Sequence, residues 1–285
     1  MSASPELLIS PERLRQYSGD RLRDIVILFT VIDIITVSLR FLSLSLSKKP
    51  FGLDDLLAIP ALLFCLGQNT VALVGIRLGR VGYHLDGVEA MDPAALVSWA
   101  KILVATPIIY SAACAMPRMM LLTLYLRIFR PSKAHRIACY ALISIVCSYA
   151  VAVFFVGGFV CIPLAYMWDK TIPGGNCINI PSFYRWGTLP NIIIDFFMLI
   201  LPLPTVWKLQ APRHIKIGLA LTLMTGSIGI VTSICRCVAF FENNPLTDGT
   251  WKSVTFLQWS VVEPGVYLVA ACLPCYRILV QLALD

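Results

Sequence analysis

The sequence predicts an all-α polytopic membrane protein, a bundle of seven transmembrane helices. Three observations lead there: a composition too apolar for water, seven apolar runs of spanning length, and tryptophans gathered at the ends of those runs. Hydrophobic residues make up 58% of the 285 and charged residues 14%, against about 25% charged in a soluble domain. With a mean hydropathy of +0.79, no arrangement of this chain hides its apolar surface from water, so the bilayer is the solvent. Seven spans of about 20–25 residues use nearly the whole length and leave no room for a second folded domain.

The elements follow in order. Residues 1–22 form a polar tail without the apolar core of a signal peptide. The apolar runs are Ile25–Ser47, Leu53–Ile76, Leu96–Phe129, Ile137–Pro163, Trp186–Trp207, Ile215–Phe241 and Trp251–Leu279. They make residues 23–280 the transmembrane domain, with 281–285 as a C-terminal stub. Each run is apolar on nearly every face, as a lipid-embedded helix is. Alternation of period two is missing, which argues against a β-barrel. Trp99, Trp168, Trp186, Trp207 and Trp251 fall at run ends, where indoles prefer the interface.

Short basic connections set the direction. Lys48 and Lys49, then Arg127, Arg130, Lys133 and Arg136, then Lys208, Arg213 and Lys216 lie on one side. The positive-inside rule makes that side cytoplasmic, with the N-terminus outside and the C-terminus inside. Arg13, Arg15, Arg21 and Arg23 in the tail count the other way. The plasma membrane is the expected location. The net charge of +7 reads as attraction to an anionic leaflet, not to nucleic acid.

Of ten cysteines, Cys65, Cys114, Cys139, Cys147, Cys235, Cys237 and Cys272 lie well inside runs, where a thiol is a small apolar side chain, and Cys275 lies near the inner end of the seventh. Cys161 and Cys177 instead flank the connection between the fourth and fifth runs. A bridge there would close a loop of about 16 residues and stabilise it by about 3 kcal/mol; two free thiols are the alternative. No metal site or cofactor is expected, because His84, His135 and His214 sit in separate connections without partners at ligand spacing.

The informative residues are ionisable groups inside the runs, since each is costly in hydrocarbon. They are Asp33, Arg40, Arg118, Asp195, Arg236 and Glu263. Asp33, Asp195 and Glu263 fall near mid-membrane. Arg118 and Glu263 each adjoin a proline, which frees the carbonyl four residues earlier, Ala113 or Ser260. The expectation is an interior cluster of Arg118 with Glu263, Asp195 being a second acidic candidate and Arg236 a further switch or ligand residue. Static neutralisation of these charges is the alternative.

Catalysis finds no support: the runs hold no histidine to activate a serine, and H-E-x-x-H is missing. The seventh run lacks a mid-span lysine, so no retinal Schiff base can form.

Together the motifs resemble the fungal rhodopsin-like domain family. They are Asp54-Asp55, Gly79-x-x-Gly82-x-His84, and Arg118 continuing to Tyr125-x-Arg127-Ile-Phe129. After them come Cys161-x-Pro163 with Gly175-x-Cys177, and Asn191-x-x-x-Asp195 leading to Leu201-Pro-Leu-Pro. Ser233-x-x-Arg236 and Trp259-x-x-x-Glu263 complete the order. The resemblance implies a fungal seven-helix membrane protein with surface sensing or signalling, of the branch without the extracellular cysteine-rich CFEM domain. It also implies that Asp195, Arg236 and Glu263 are family features. Departures from the family are Arg118 where a lysine usually stands, and a chain that stops at Asp285 where relatives commonly continue. Tyr125-Leu126-Arg127 is not the Asp/Glu-Arg-Tyr of animal receptors. Two functions are consistent with these residues: a receptor-like sensor for a small molecule, with a G protein as candidate partner at the Arg127–Arg136 face, or a transporter or accessory for a small metabolite.

Overall fold

The computed structural model describes residues 13, 15–47, 51–128, 133–203, 213–242 and 248–276. Lys48, Lys49, Arg130, Trp207, Lys208, Arg277 and the 281–285 stub lie outside the described residues, and so does most of the 1–22 tail.

The described chain is almost entirely helical: α1 Gly19–Ser47, α2 Leu53–Leu56, α3 Ala58–Leu78, α4 Leu85–Met91, α5 Pro93–Ile128, α6 Lys133–Gly158, α7 Ile180–Ile200, α8 Arg213–Glu242 and α9 Gly249–Cys272. Its strands, β1 Cys161–Ile162 and β2 Asn176–Cys177, pair antiparallel with Cys161 opposite Cys177. Their sulfurs are joined in a disulfide that marks one end of the bundle, the disulfide end.

Seven helices of this set coincide with the seven apolar runs, and α1, α2–α3, α5, α6 and α9 are by themselves long and apolar enough to cross a bilayer. Asn191, Asp195 and Arg185 dilute the apolar character of α7, and Gly226–Ala239 is an apolar stretch within α8.

Local chemistry places the helix ends. Pro93 opens α5, where its missing N–H costs nothing. Asn179 caps α7, its side chain accepting from Ser182 N–H at 3.0 Å. This cap starts α7 six residues before the Trp186 expected from hydropathy. At the other end of that connection, α6 stops at Gly158 rather than Pro163, because the strand pair of the disulfide takes over. Gly82, at φ +107°, passes so close to Gly19 that a Cβ would sit 2.6 Å from its nitrogen. Only glycine fits that crossing.

The helices close a ring in the order α1, α3, α5, α6, α7, α8, α9, with α9 also packing on α3 and α5. In α9, 61% of the spanning window is buried inside the protein, against 17% in α6. α9 is therefore the central staff and α6 an outer helix. Polarity is inverted relative to a soluble protein. Val151, Phe154, Phe155, Ile193, Phe196 and Phe197 are exposed, while Asp33, Arg40, Arg118 and Glu263 are buried. Apolar side chains outside and charges inside match a lipid solvent.

Pro107 lies inside α5 and cannot donate to the carbonyl of Leu103. The hydroxyl of Tyr184 on α7 donates to that carbonyl instead. A backbone defect in one helix is thus repaired by its neighbour.

Candidate functional site

Each of four helices places one or two polar side chains at the same depth. Arg118 follows Pro117 on α5. Asn191 and Asp195 are four apart on α7, hence on one face. Ser233 and Arg236 are three apart on α8, and Glu263 precedes Pro264 on α9. All six are at most 5% exposed.

The structure brings Arg118, Asp195, Arg236 and Glu263 together, with a pairing that differs from the one expected. Arg118 Nη2 lies 2.7 Å from Asp195 Oδ1 and 3.6 Å from Glu263 Oε1. Asp195 is therefore the direct partner of Arg118, not the second candidate. Glu263 Oε2 is 3.2 Å from Arg236 Nε. Helix rotation, which hydropathy does not report, decides this exchange. Nor is Arg118 aimed at the carbonyl freed by its proline. Its Nη1 donates to Asn191 Oδ1 at 2.6 Å. Asn191 Nδ2 in turn donates to Glu263 Oε1 at 2.7 Å and reaches the Tyr110 hydroxyl at 2.9 Å. Arg236 stacks over the Tyr110 ring at 4.0 Å and Arg118 over Tyr267 at 4.8 Å, each a cation–π contact in a desolvated setting.

Two guanidinium groups face two carboxylates, so the quartet has no net charge. Ser233 Oγ stands 3.0 Å from Asp195 Oδ2 and 2.6 Å from Glu263 Oε1. One hydroxyl proton serves one acceptor at a time, so Ser233 can favour either ion pair. The quartet is closed in this conformation: Glu263 has no exposed surface. A small apolar cavity of about 10 Å³ lies nearer the disulfide end, lined by Leu103, Pro107, Gly157, Met167, Phe183 and Tyr184. That volume holds about one water.

A second charged cluster lies at the opposite end. Arg40 on α1 is fully buried, its Nη2 2.7 Å from Asp54 Oδ2 and 2.8 Å from Asp55 Oδ1, while Nη1 donates to the Ala271 carbonyl at 3.0 Å. Asp55 Oδ2 also accepts from Gly52 N–H at 3.0 Å and caps α2. Arg127, at the end of α5, reaches Asp54 Oδ1 at 3.3 Å with its side chain 37% exposed. It is thus a partner in an ion pair rather than only a member of a basic face. Lys133 and Arg136 are exposed at the start of α6. Sequence reasoning singled out Arg40 and Asp54-Asp55 separately; the signal that joins them is a mid-span arginine followed by a double acid on the next helix. Asp54, Asp55 and Cys275 present ligand atoms within 4.8 Å of one another, but both carboxylates are already engaged by guanidinium groups.

At the disulfide end, the His84 ring stacks on Trp251 at 4.1 Å and bonds Asp248 through Nδ1. Its Nε2 is 3.0 Å from Gln16 Oε1, which fastens the chain before α1 across the α3–α4 connection. In the disulfide loop, the hydroxyl and N–H of Thr171 donate to Asp169 and hold its carboxyl below the usual carboxylate range.

A closed ring of seven helices with lipid-facing apolar surfaces and a neutral charged core defines a polytopic all-α membrane protein. The model of the fungal rhodopsin domain matches residues 39–282, and the chain belongs to that family. It is 32% identical to a Metarhizium anisopliae protein named for a polyenoic acids biosynthesis gene cluster, over 99% of this chain and 76% of that one. It is 29% identical to an Emericella nidulans SAT4 family membrane protein, over 73% of this chain and 52% of the other. A Talaromyces wortmannii protein named for the wortmanamides biosynthesis cluster is 24% identical, over 91% and 70%. No solved structure matches.

Proposed function

We propose that this chain is a non-enzymatic, receptor-like membrane sensor for a small molecule, in which the charged quartet is the switch. One observation carries the reading: α5 bears both Arg118 in the quartet and Arg127 on Asp54. The two arginines are nine residues apart, about 13 Å along one helix, so a shift of α5 at the quartet is felt at Arg127. A ligand entering from the disulfide end that rearranges the Ser233-shared pairs would move α5 and release Arg127 from Asp54. Arg127, Lys133 and Arg136 would then meet a cytosolic partner such as a G protein. The disulfide end is placed outside because disulfides persist in oxidising compartments, and the basic end inside by the positive-inside rule. The plasma membrane is the proposed location.

Hydrogen exchange in nanodiscs tests the coupling. Asp195→Asn is expected to raise exchange of the Gly52–Leu57 amides tenfold or more, although these residues do not touch Asp195. Exchange that rises only in α7 and α8 would end the sensor reading. A second reading has its own support, because two of the relatives above are named for biosynthesis clusters. A carrier of a cluster metabolite would lose flux in vesicles on Glu263→Gln, whereas a sensor moves no solute.

A further inference from the structure

The quartet and the Arg40 cluster leave one intramembrane charge unused. Asp33 lies in the middle of α1 and is 1% exposed, and neither carboxylate oxygen meets a hydrogen-bond partner in good geometry. The amide of Asn69 on α3 bears on it; that amide has two N–H groups, and one of them goes to Thr30 Oγ1 at 3.1 Å. From α9, the backbone of Gly265 closes over the acid, with a Cβ at that position falling 3.3 Å from Asp33 Oδ1 and 2.4 Å from the Phe29 ring. The titratable groups that bear on it from the packed helices are two buried thiols, Cys65 on α3 and Cys272 on α9. Neither brings positive charge. Arg40, two turns along α1, is committed to Asp54, Asp55 and the Ala271 carbonyl. Glu263 is committed to Arg236 and Asn191. Gln68, beside Asn69 on α3, is also fully buried with both amide atoms unpaired.

A carboxylate sealed in this way has given up its water for at most one amide N–H, which native proteins avoid. The missing element is one unit of positive charge. From this geometry we infer that Asp33 is the seat of a single small monovalent cation, a proton or an alkali ion, held where α1, α3 and α9 meet. Occupancy neutralises the acid and lets α9 lie against α1; loss of the cation leaves a naked charge that drives the two helices apart or draws in water. This site is independent of the sensor reading, since it involves no residue of the quartet.

The test compares the full chain in nanodiscs with Asp33→Asn, which keeps the shape and removes the charge. All other titratable groups are common to both, so the difference between their unfolding midpoints isolates Asp33. In one series, sodium chloride replaces N-methylglucamine chloride at constant ionic strength and pH 8. In the other, pH runs from 8.5 to 5 without sodium. A site for an alkali ion raises the parent's midpoint over that of D33N by about 2 °C or more in the first series. A proton site does the same in the second series as pH falls. If parent and variant move in parallel in both series, Asp33 holds no exchangeable cation and the inference is wrong. Should D33N fail to fold, Asp33→Ser is the uncharged reference.

Discussion

Arg118 and Asp195 form a 2.7 Å ion pair between α5 and α7, with both side chains almost wholly removed from the surface. A pair of this kind is costly to break singly because the surviving charge has no water to return to. Arg118→Ala or Asp195→Ala alone is expected to destabilise the protein by about 3–5 kcal/mol, read by thermal unfolding in nanodiscs. Replacing both by leucine is expected to cost much less than the sum. Additive losses would mean that the two charges are independently solvated.

The two arginines on Asp54 and Asp55 differ in burial, and their removal should differ accordingly. Arg40→Ala strips a fully buried guanidinium from two carboxylates and a carbonyl and is expected to abolish recovery of folded protein. Arg127→Ala removes an exposed partner and is expected to cost below about 1 kcal/mol. Size-exclusion profiles and melting curves of the two variants check the contrast.

The hydroxyl of Tyr184 takes the place of the N–H that Pro107 lacks. Tyr184→Phe should therefore cost about 1–3 kcal/mol, the penalty of an unsatisfied buried carbonyl. In a Pro107→Ala background the carbonyl of Leu103 regains a helical donor, and the same substitution should cost clearly less. A double-mutant cycle measures the difference.

Cys161 and Cys177 should resist alkylation of the native protein until a reductant is added, as read by peptide mass spectrometry. Replacing both by serine is expected to lower stability by about 3 kcal/mol through the 16-residue loop.

Charge in hydrocarbon is rare enough that Arg118, Asp195, Arg236 and Glu263 stand out from the sequence alone, and hydropathy locates the seven helices without fixing their ends. What hydropathy does not hold is rotation about each helix axis. For that reason Arg118 goes to Asp195 rather than Glu263, and Arg40 joins Asp54 across a connection that reads only as a boundary. Tyr110 carries no signal at all, since a ring in an apolar run looks like any other lipid-embedded residue. Helix ends set by caps, such as Asn179 before α7, escape a reading based on apolar runs for the same reason.

In the proposed sensor, α5 couples the quartet to the Arg127–Asp54 contact. The most direct measurement is a double-mutant cycle of Asp195→Asn and Arg127→Ala on the opening free energy of the α2 amides, obtained by hydrogen exchange. The two residues belong to different charged clusters, and independent sites add to within about 0.3–0.5 kcal/mol. Coupling through α5 predicts that Arg127→Ala costs little once Asp195→Asn has loosened the helix, a departure from additivity close to the whole cost of Arg127→Ala in the parent and above about 0.5 kcal/mol. Additive opening energies would contradict it.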